Sequence, residues 1–413
     1  MFELNLRALA AVLAAPLAQA QPAPPCPLPQ EPRSFFVFVF DDLGLADLET
    51  FPHPTIDALA AQGLTFSQCY GSPVCSPSRH QLQFGEWWTR IADDEGEEAP
   101  SSAVSLAELL HDRSSLYLGK WHLGGTPIAT GPMQQGYDDW RKGITTAPSP
   151  SYFAWNVYDS GSLFFGLEYL PLAQAQDFAT LWPAMPWPRL AVYATSLPHL
   201  PYHRPPSAWL PSGYPSTATD RLKFQAMGVA ADEQLRRALE HVDLSRTFVV
   251  LVGDNGTPAA LMPDLDGDGD ADVERGKTSI FERGIRVPLV IAGPGVPAGV
   301  TTDALCSVVD VRATLCDLAG HGDPGRDGRS LRPVLEDPSA EVRSFVLAGV
   351  EGDPRWPDQV TVRLGRYKLN VIGGTEALYD LETDPHEFAD RSSDPTLQAV
   401  LQDCRNVLAA NRP

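Results

Sequence analysis

The chain has 413 residues, 43% of them hydrophobic and 20% charged, which excludes a disordered or collagen-like polypeptide. At roughly 100–200 residues per domain, that length fits two domains or one large domain with an appendage. The formal net charge of −21 repels polyanions at long range and argues against nucleic acid as the main partner. A small anionic substrate stays compatible, because a metal ion or a few lysines reverse the field locally.

Arg7, the apolar run Ala8 to Ala18 and the triplet Ala18-Gln19-Ala20 read as an export signal over residues 1–20. That run is too short to span a bilayer, and no later stretch is long enough, so no transmembrane helix is expected. Residues 21–33 are Pro-rich and read as a linker. The six cysteines (Cys26, Cys69, Cys75, Cys306, Cys316 and Cys404) are too few for a disulfide scaffold.

From Ser34 to Phe40 runs an aromatic and β-branched segment without alternation, the pattern of a strand buried on both faces. It stops at Asp41-Asp42. Ile56 to Gln62 reads as a helix closed by Gly63, and Leu64 to Phe66 as a short strand. About 127–216 is dense in Pro and aromatics, lacks a clear period, and is expected to be loop-rich and pocket-forming; Trp155, Trp182, Trp187 and Trp209 there are either stacking platforms or packing anchors. A helical stretch from about Leu222 to Glu240 leads into the buried run Thr247–Val252, which ends at Asp254-Asn255; another buried run is Val287–Ala292.

Strands alternating with helices imply an α/β fold: a large, mostly parallel sheet sandwiched by helices. Its ligands bind beyond the carboxyl ends of the strands, where both Asp/Asn clusters fall. Alternating segments around Val360–Leu364 and Tyr367–Val371 suggest a smaller C-terminal antiparallel sheet, followed by a helix over Thr396–Ala410. The expected division is 34–337 for the main domain and 338–413 for the C-terminal subdomain.

The most specific string is Cys75-Ser76-Pro77-Ser78-Arg79, with Leu82 and Gly85 downstream. Alone, such a cysteine is more often a small buried residue than a nucleophile. The others are Gly119-Lys120-Trp121-His122, Pro198-His199-Leu200-Pro201, Asp254-Asn255-Gly256, the Lys277–Pro288 block with Glu282, Gly284 and Arg286, and Leu378-Tyr379-Asp380-Leu381 with Asp384-Pro385 and Glu387. In this composition and order they resemble the sulfatase family, whose signature cysteine is oxidised after translation to formylglycine. The chain departs at Phe84-Gly85, where that family commonly has Thr-Gly.

The resemblance implies a sulfuric ester hydrolase acting on a sulfated small molecule or glycan, exported, and matured by a formylglycine-generating enzyme. It implies that Cys75 becomes the nucleophile and Arg79 anchors it. Lys120 and Lys277 bind sulfate oxygens, His199 protonates the departing alcohol, and His122 takes the proton that lets sulfate leave. Asp41, Asp42, Asp254 and Asn255, joined by the modified Cys75, form an oxygen-rich metal set. Such donors suit a hard cation, Ca²⁺ or alternatively Mg²⁺, rather than zinc.

A second acidic loop, Asp264, Asp266, Asp268, Asp270 and Asp272, resembles an EF-hand calcium loop. It has Arg275 where the bidentate Glu belongs, and a solvated acidic loop is an equal reading. The run Asp93–Glu98 reads as a solvated loop. Two other functions compete: a phosphomonoester or phosphonate-ester hydrolase on the same fold, and a non-catalytic calcium-dependent binder of sulfated glycans.

Overall fold

The unbroken apolar run after Arg33 forms strand β1 (Ser34–Phe40), and all seven residues are buried. The structure is a computed structural model describing residues 33–87, 103–125, 128–323, 325, 327–352, 355 and 357–411. The expected export signal, the Pro-rich linker apart from Arg33, Cys26 and the run Asp93–Glu98 lie outside the described residues. Further strands are β2 (Gly63–Tyr70), β3 (Ser114–Lys120), β4 (Asp139–Ile144), β5 (Trp155–Asp159), β6 (Ser162–Gly166), β7 (Arg189–Ala194), β8 (Thr247–Gly253), β9 (Arg286–Ala292), β10 (Val300–Thr302) and β11 (Cys306–Ser307).

These strands make one sheet of 11 in the order β10-β2-β9-β8-β1-β7-β3-β4-β5-β6, with β11 beside β2. The centre, β8-β1-β7-β3-β4, is parallel. Alternation along β1 splits the core in two. Phe35, Val37 and Val39 face a cluster containing Leu82, Leu110 and Leu315, whereas Phe36, Phe38 and Phe40 face one containing Phe178, Phe224 and Leu235. Helices Cys75–Phe84 and Val309–Ala319 cover the first face, and Leu170–Ala184 and Asp220–Leu239 the second. Each fully buried Phe contributes roughly 1.5–3 kcal/mol.

Two expectations change. The run over 287–292 is buried on both faces like its parallel neighbours, yet β9 pairs antiparallel with both β8 and β2. The middle region is also more regular than its composition suggests. It contains β4 to β7 and a 15-residue helix, Leu170–Ala184, whose prolines sit at its ends: Pro171 in the first turn and Pro183 in the last. Trp155, Trp182 and Trp209 are buried and serve as packing anchors, while Trp187 is half-buried with the Arg246 guanidinium 4.0 Å over its ring.

A second, antiparallel sheet follows: β12 (Phe345–Val350), β13 (Gln359–Leu364), β14 (Tyr367–Ile372) and β15 (Thr375–Asp380), in chain order. Its apolar face, with Val360, Val362 and Leu369, packs on Leu401, Cys404 and Leu408 of the terminal helix Gln398–Asn411. The opposite face carries Gln359, Arg363, Lys368 and Asn370; Gln359 and Lys368 bond the segment between Lys277 and β9, Arg363 the Tyr70 hydroxyl and Asn370 the Glu387 carboxylate. Gln359 donates to the Thr278 carbonyl at 2.6 Å and accepts from the Ile280 N–H at 3.2 Å. Among the described residues no helix is long and apolar enough to cross a membrane.

Candidate active site

Phe40 and Gly253 are register partners, so the loops leaving β1 and β8 emerge side by side. Asp41-Asp42 and Asp254-Asn255 therefore meet although 212 residues separate Asp42 from Asp254. The Asp254 carboxylate fastens the junction, accepting from the Asp42 N–H at 3.0 Å and the Asn255 N–H at 2.8 Å. Asp42 adopts a left-handed backbone (φ 68°), which Asp tolerates better than most residues. Two glycines permit the close packing: a Cβ on Gly71 would lie 2.3 Å from the Asp254 carbonyl oxygen, and one on Gly256 1.9 Å from that of Arg283.

Cys75 opens the helix Cys75–Phe84, whose positive end faces this cluster. Gly85 ends the helix with φ 69°, its N–H bonded to the Gln81 carbonyl, which explains why a glycine follows Phe84. One turn after Cys75, on the same face, Arg79 bonds Asp254 through Nη2 (2.9 Å) and Nε (3.2 Å) and donates to the Lys120 carbonyl at 2.7 Å. Lys120, the last residue of β3, places Nζ 2.8 and 2.9 Å from the two Asp41 oxygens. Lys277 Nζ lies 2.5 Å from Asp42 Oδ1 and 3.2 Å from Cys75 Sγ. The thiol is 3.5 Å from Asp41 and 3.6 Å from Asp42, and His199 Nε2 is 3.8 Å from Asp42 Oδ2.

Nearly all of these groups are buried, so their charges act at low dielectric. Burial alone would raise the Asp41 carboxyl, but Lys120, His199, Arg79 and Lys277 hold it well below the usual carboxylate range. Asp42 is likewise lowered: Lys277 and His199 outweigh burial and the neighbouring Asp41. Asp254 goes the other way, raised by burial and by Asp41 despite Arg79. Burial pushes the Cys75 thiol up, so at neutral pH it is protonated and a poor nucleophile as it stands. Burial, with Lys120 and Arg79, drives His122 well below its ordinary value and keeps it neutral.

The donor set fits a hard cation. Asp41, Asp42, Cys75 and His199 each offer a ligand atom, all within 4.8 Å of one another. Asn255 Oδ1 is a buried acceptor without a hydrogen-bond partner among the described residues, while its Nδ2 donates to Asp42 Oδ1 at 2.9 Å and to the Gly256 carbonyl. An orphaned carbonyl oxygen beside two ionised carboxylates is what an oxygen-seeking divalent ion satisfies. Asp254 belongs to the same cluster but is turned toward Arg79 and the two backbone donors.

The cluster gathers Asp41, Asp42, Cys75, Arg79, Lys120, His199, Asp254, Asn255 and Lys277, with His122 within electrostatic reach, whereas Glu282 and Glu387 from the later strings pair with Lys368 against the C-terminal sheet. The acidic loop is separate: Asp264, Asp266 and Asp272 bring one oxygen each within 4.8 Å, and Asp268 and Asp270 stand outside that group. Both Asp264 oxygens accept from the Gly267 and Gly269 N–H groups, and Arg275 donates to the carbonyls of His386 and Glu387. Sequence reasoning missed Tyr117, whose hydroxyl donates to the Lys120 carbonyl at 2.9 Å, and Tyr152, which holds the His199 loop. Tyr117 sat within reach, two residues before the Gly119–His122 string; for Tyr152 the irregular middle region offered no signal.

A parallel sheet delivering acids, lysines, histidines and a buried cysteine to one point defines an enzyme acting on an anionic ester. The comparisons with known proteins give the family. The family model described as Sulfatase matches residues 34–321, and the model described as N-sulphoglucosamine sulphohydrolase, C-terminal, matches 275–412. Arylsulfatase A of Homo sapiens is 29% identical over 429 residues, covering 92% of this chain and 80% of the relative. N-acetylgalactosamine-6-sulfatase of Sus scrofa is 27% identical over 350 residues, covering 74% of this chain and 66% of the relative. In fold, the crystal structure of Ps i-CgsB in complex with k-i-k-neocarrahexaose matches with a TM-score of 0.76 at 22% identity, covering 92% of each chain. The chain belongs to the sulfatase family and is a sulfuric ester hydrolase.

Proposed function

We propose that this sulfatase hydrolyses a sulfate monoester of a carbohydrate or an aryl alcohol at the Cys75 cluster, with Cys75 converted to formylglycine and a divalent cation bound beside it. The observation that carries the reading is the placement of Lys277 Nζ 3.2 Å from Cys75 Sγ, with Asp41, Asp42 and the unpartnered Asn255 oxygen around them. A calcium- or magnesium-class cation held by Asp41, Asp42, Asp254 and Asn255 supplies positive charge next to the ester when bound, and the modified Cys75 supplies the attacking hydroxyl.

Lys120 and Lys277 stand on opposite sides of the Asp pair and take sulfate oxygens, offsetting the charge that builds up on them in the transition state. Arg79 holds Asp254 and the Lys120 carbonyl together, so both loops keep their spacing while substrate exchanges. His199 commits Nδ1 to the Leu200 carbonyl at 2.8 Å, which leaves Nε2 to face the substrate and pass a proton to the departing oxygen. His122, buried two residues after Lys120, takes up the proton that accompanies sulfate release. In this reading 34–337 is the catalytic domain and 338–413 the subdomain that backs Lys277. The protein is exported, and its maturation partner is a formylglycine-generating enzyme.

The test is the mass of the Cys75 peptide from protein co-expressed with a formylglycine-generating enzyme, together with rates on an aryl sulfate, an aryl phosphate and sulfated sugars. An aldehyde at position 75, sulfate-selective turnover, and loss of that turnover in chelator with recovery in calcium or magnesium are expected. A thiol at position 75 in protein that still turns over, or turnover indifferent to chelator, overturns the mechanism.

A further inference from the structure

His199 sits on a loop outside any strand or helix, between β7 and the helix Asp220–Leu239, yet its imidazole must hold one position against the leaving oxygen. The loop runs from Ser196 to His203 and closes on itself through the His199 N–H, which bonds the Ser196 carbonyl at 2.9 Å. That turn uses one lone pair of the Ser196 carbonyl and leaves the His199 carbonyl to find its donor elsewhere. One side chain meets both. Tyr152, from the segment between β4 and β5, brings its hydroxyl 2.5 Å from the Ser196 carbonyl and 2.8 Å from the His199 carbonyl.

The arrangement is built rather than incidental. Tyr152 is 1% exposed, and its ring lies 4.3 Å from that of His203, at the far end of the same loop. Its own carbonyl accepts from the Leu170 N–H at 2.9 Å, so the clamp is anchored to the start of the Leu170–Ala184 helix. His203 in turn bonds the Pro201 carbonyl through Nδ1 and the Tyr169 hydroxyl through Nε2. The loop is thus held at both ends by tyrosines from outside it, and it is the Tyr152 hydroxyl that bonds the His199 backbone. Burial raises the Tyr152 phenol well above its ordinary value, which keeps it a donor throughout the working pH range.

We infer that Tyr152 is a positioning residue for the leaving-group side of the reaction: by sharing one hydroxyl proton between the Ser196 and His199 carbonyls, it fixes where His199 Nε2 delivers its proton. The inference rests on the proposed reading of His199 as proton donor. It has a signature that a packing role lacks. A good leaving group such as 4-nitrophenolate departs with little help, whereas the alkoxide of a sugar needs the proton, so a misplaced His199 harms the second reaction far more than the first.

The experiment compares matured wild type, Tyr152→Phe, Tyr169→Phe and His199→Asn on 4-nitrophenyl sulfate and on a sugar sulfate that the wild type turns over. The readout is the ratio of the two kcat/KM values within one preparation, which cancels the fraction of enzyme that is folded and matured. For Tyr152→Phe the ratio should shift by about 10-fold or more against the sugar sulfate, the scale of a partial loss of general-acid catalysis. His199→Asn should shift it further the same way, and Tyr169→Phe should leave it unchanged. An unchanged ratio in Tyr152→Phe, with a shifted one in His199→Asn, overturns the positioning role alone. An unchanged ratio in His199→Asn overturns the proton-donor reading and this inference with it. Equal shifts in Tyr152→Phe and Tyr169→Phe overturn the specific role of Tyr152 and assign the effect to a general loosening of the loop when either hydroxyl is lost.

Discussion

Two clusters of buried charge lie on either side of the Lys277–Arg286 segment, and they are built to opposite ends. At Cys75, three carboxylates face Lys120, Lys277 and Arg79, and the Asn255 oxygen has no partner. Against the C-terminal sheet, Lys368 Nζ lies 3.0 Å from both Glu282 and Glu387, and Glu387 also accepts from Asn370 at 2.9 Å and from the Glu282 N–H at 2.6 Å. Glu282 accepts from the Tyr70 hydroxyl at 3.0 Å, and Arg363 bonds that hydroxyl in turn. The first cluster keeps an acceptor open for a ligand; the second is closed. On the proposed reading, buried ions serve as chemical machinery in one place and as a staple in the other.

The comparison breaks most visibly at the two lysines. Lys277→Ala should lower kcat on an aryl sulfate by about 10³-fold, which is about 4 kcal/mol of barrier, while the Tm moves by no more than about 4 °C. Steady-state kinetics and calorimetry on one preparation read both. Lys368→Met should do the reverse. It strands two buried carboxylates, so urea unfolding should show a loss of about 3 kcal/mol or more, with kcat of the folded fraction near wild type. If Lys368→Met abolishes turnover without loss of stability, the closed cluster is machinery as well.

Much of this arrangement was legible in the sequence, for a physical reason. At each turn of the Cys75 cluster the residues proposed to do the chemistry are consecutive or nearly so, as in Asp41-Asp42, Lys120 to His122 and Asp254-Asn255. They also follow apolar runs that announce strand ends. The C-terminal sheet was readable because Gln359, Arg363, Lys368 and Asn370 alternate with Val360, Val362 and Leu369. What stayed hidden depends on contacts between distant segments. Strand β7 has charge and aromatics but little β-branching, and it is a strand because β1 and β3 flank it. Tyr152 has no local pattern at all; its role exists only where its hydroxyl meets two carbonyls 44 and 47 residues away.

Asp47 sharpens the comparison from a third position, because it is a buried carboxylate with neutral donors alone in contact. Its Oδ2 accepts from the Gly44 N–H at 2.9 Å and the Thr257 hydroxyl at 3.0 Å, while Arg283 and Arg221 act on it only electrostatically and offset part of the burial. Burial raises its pKa from 3.8 to about 6, the two hydrogen bonds offsetting only part of the cost. Below about pH 4 the group is neutral folded and unfolded alike. As pH climbs from there through about 6, the unfolded chain gives up the proton first, and the stability held by the protonated form is lost. Above pH 6 the folded protein carries a penalty on the order of 1–3 kcal/mol. Asp47→Asn keeps an acceptor for Gly44 and Thr257 without the charge, so it should be more stable than wild type by that amount at pH 7–8. The gain should fade toward pH 4. Thermal melts of both proteins between pH 4 and 8 read the difference directly; a gain that does not change with pH would mean that the charge at Asp47 is already compensated, as it is in the two clusters.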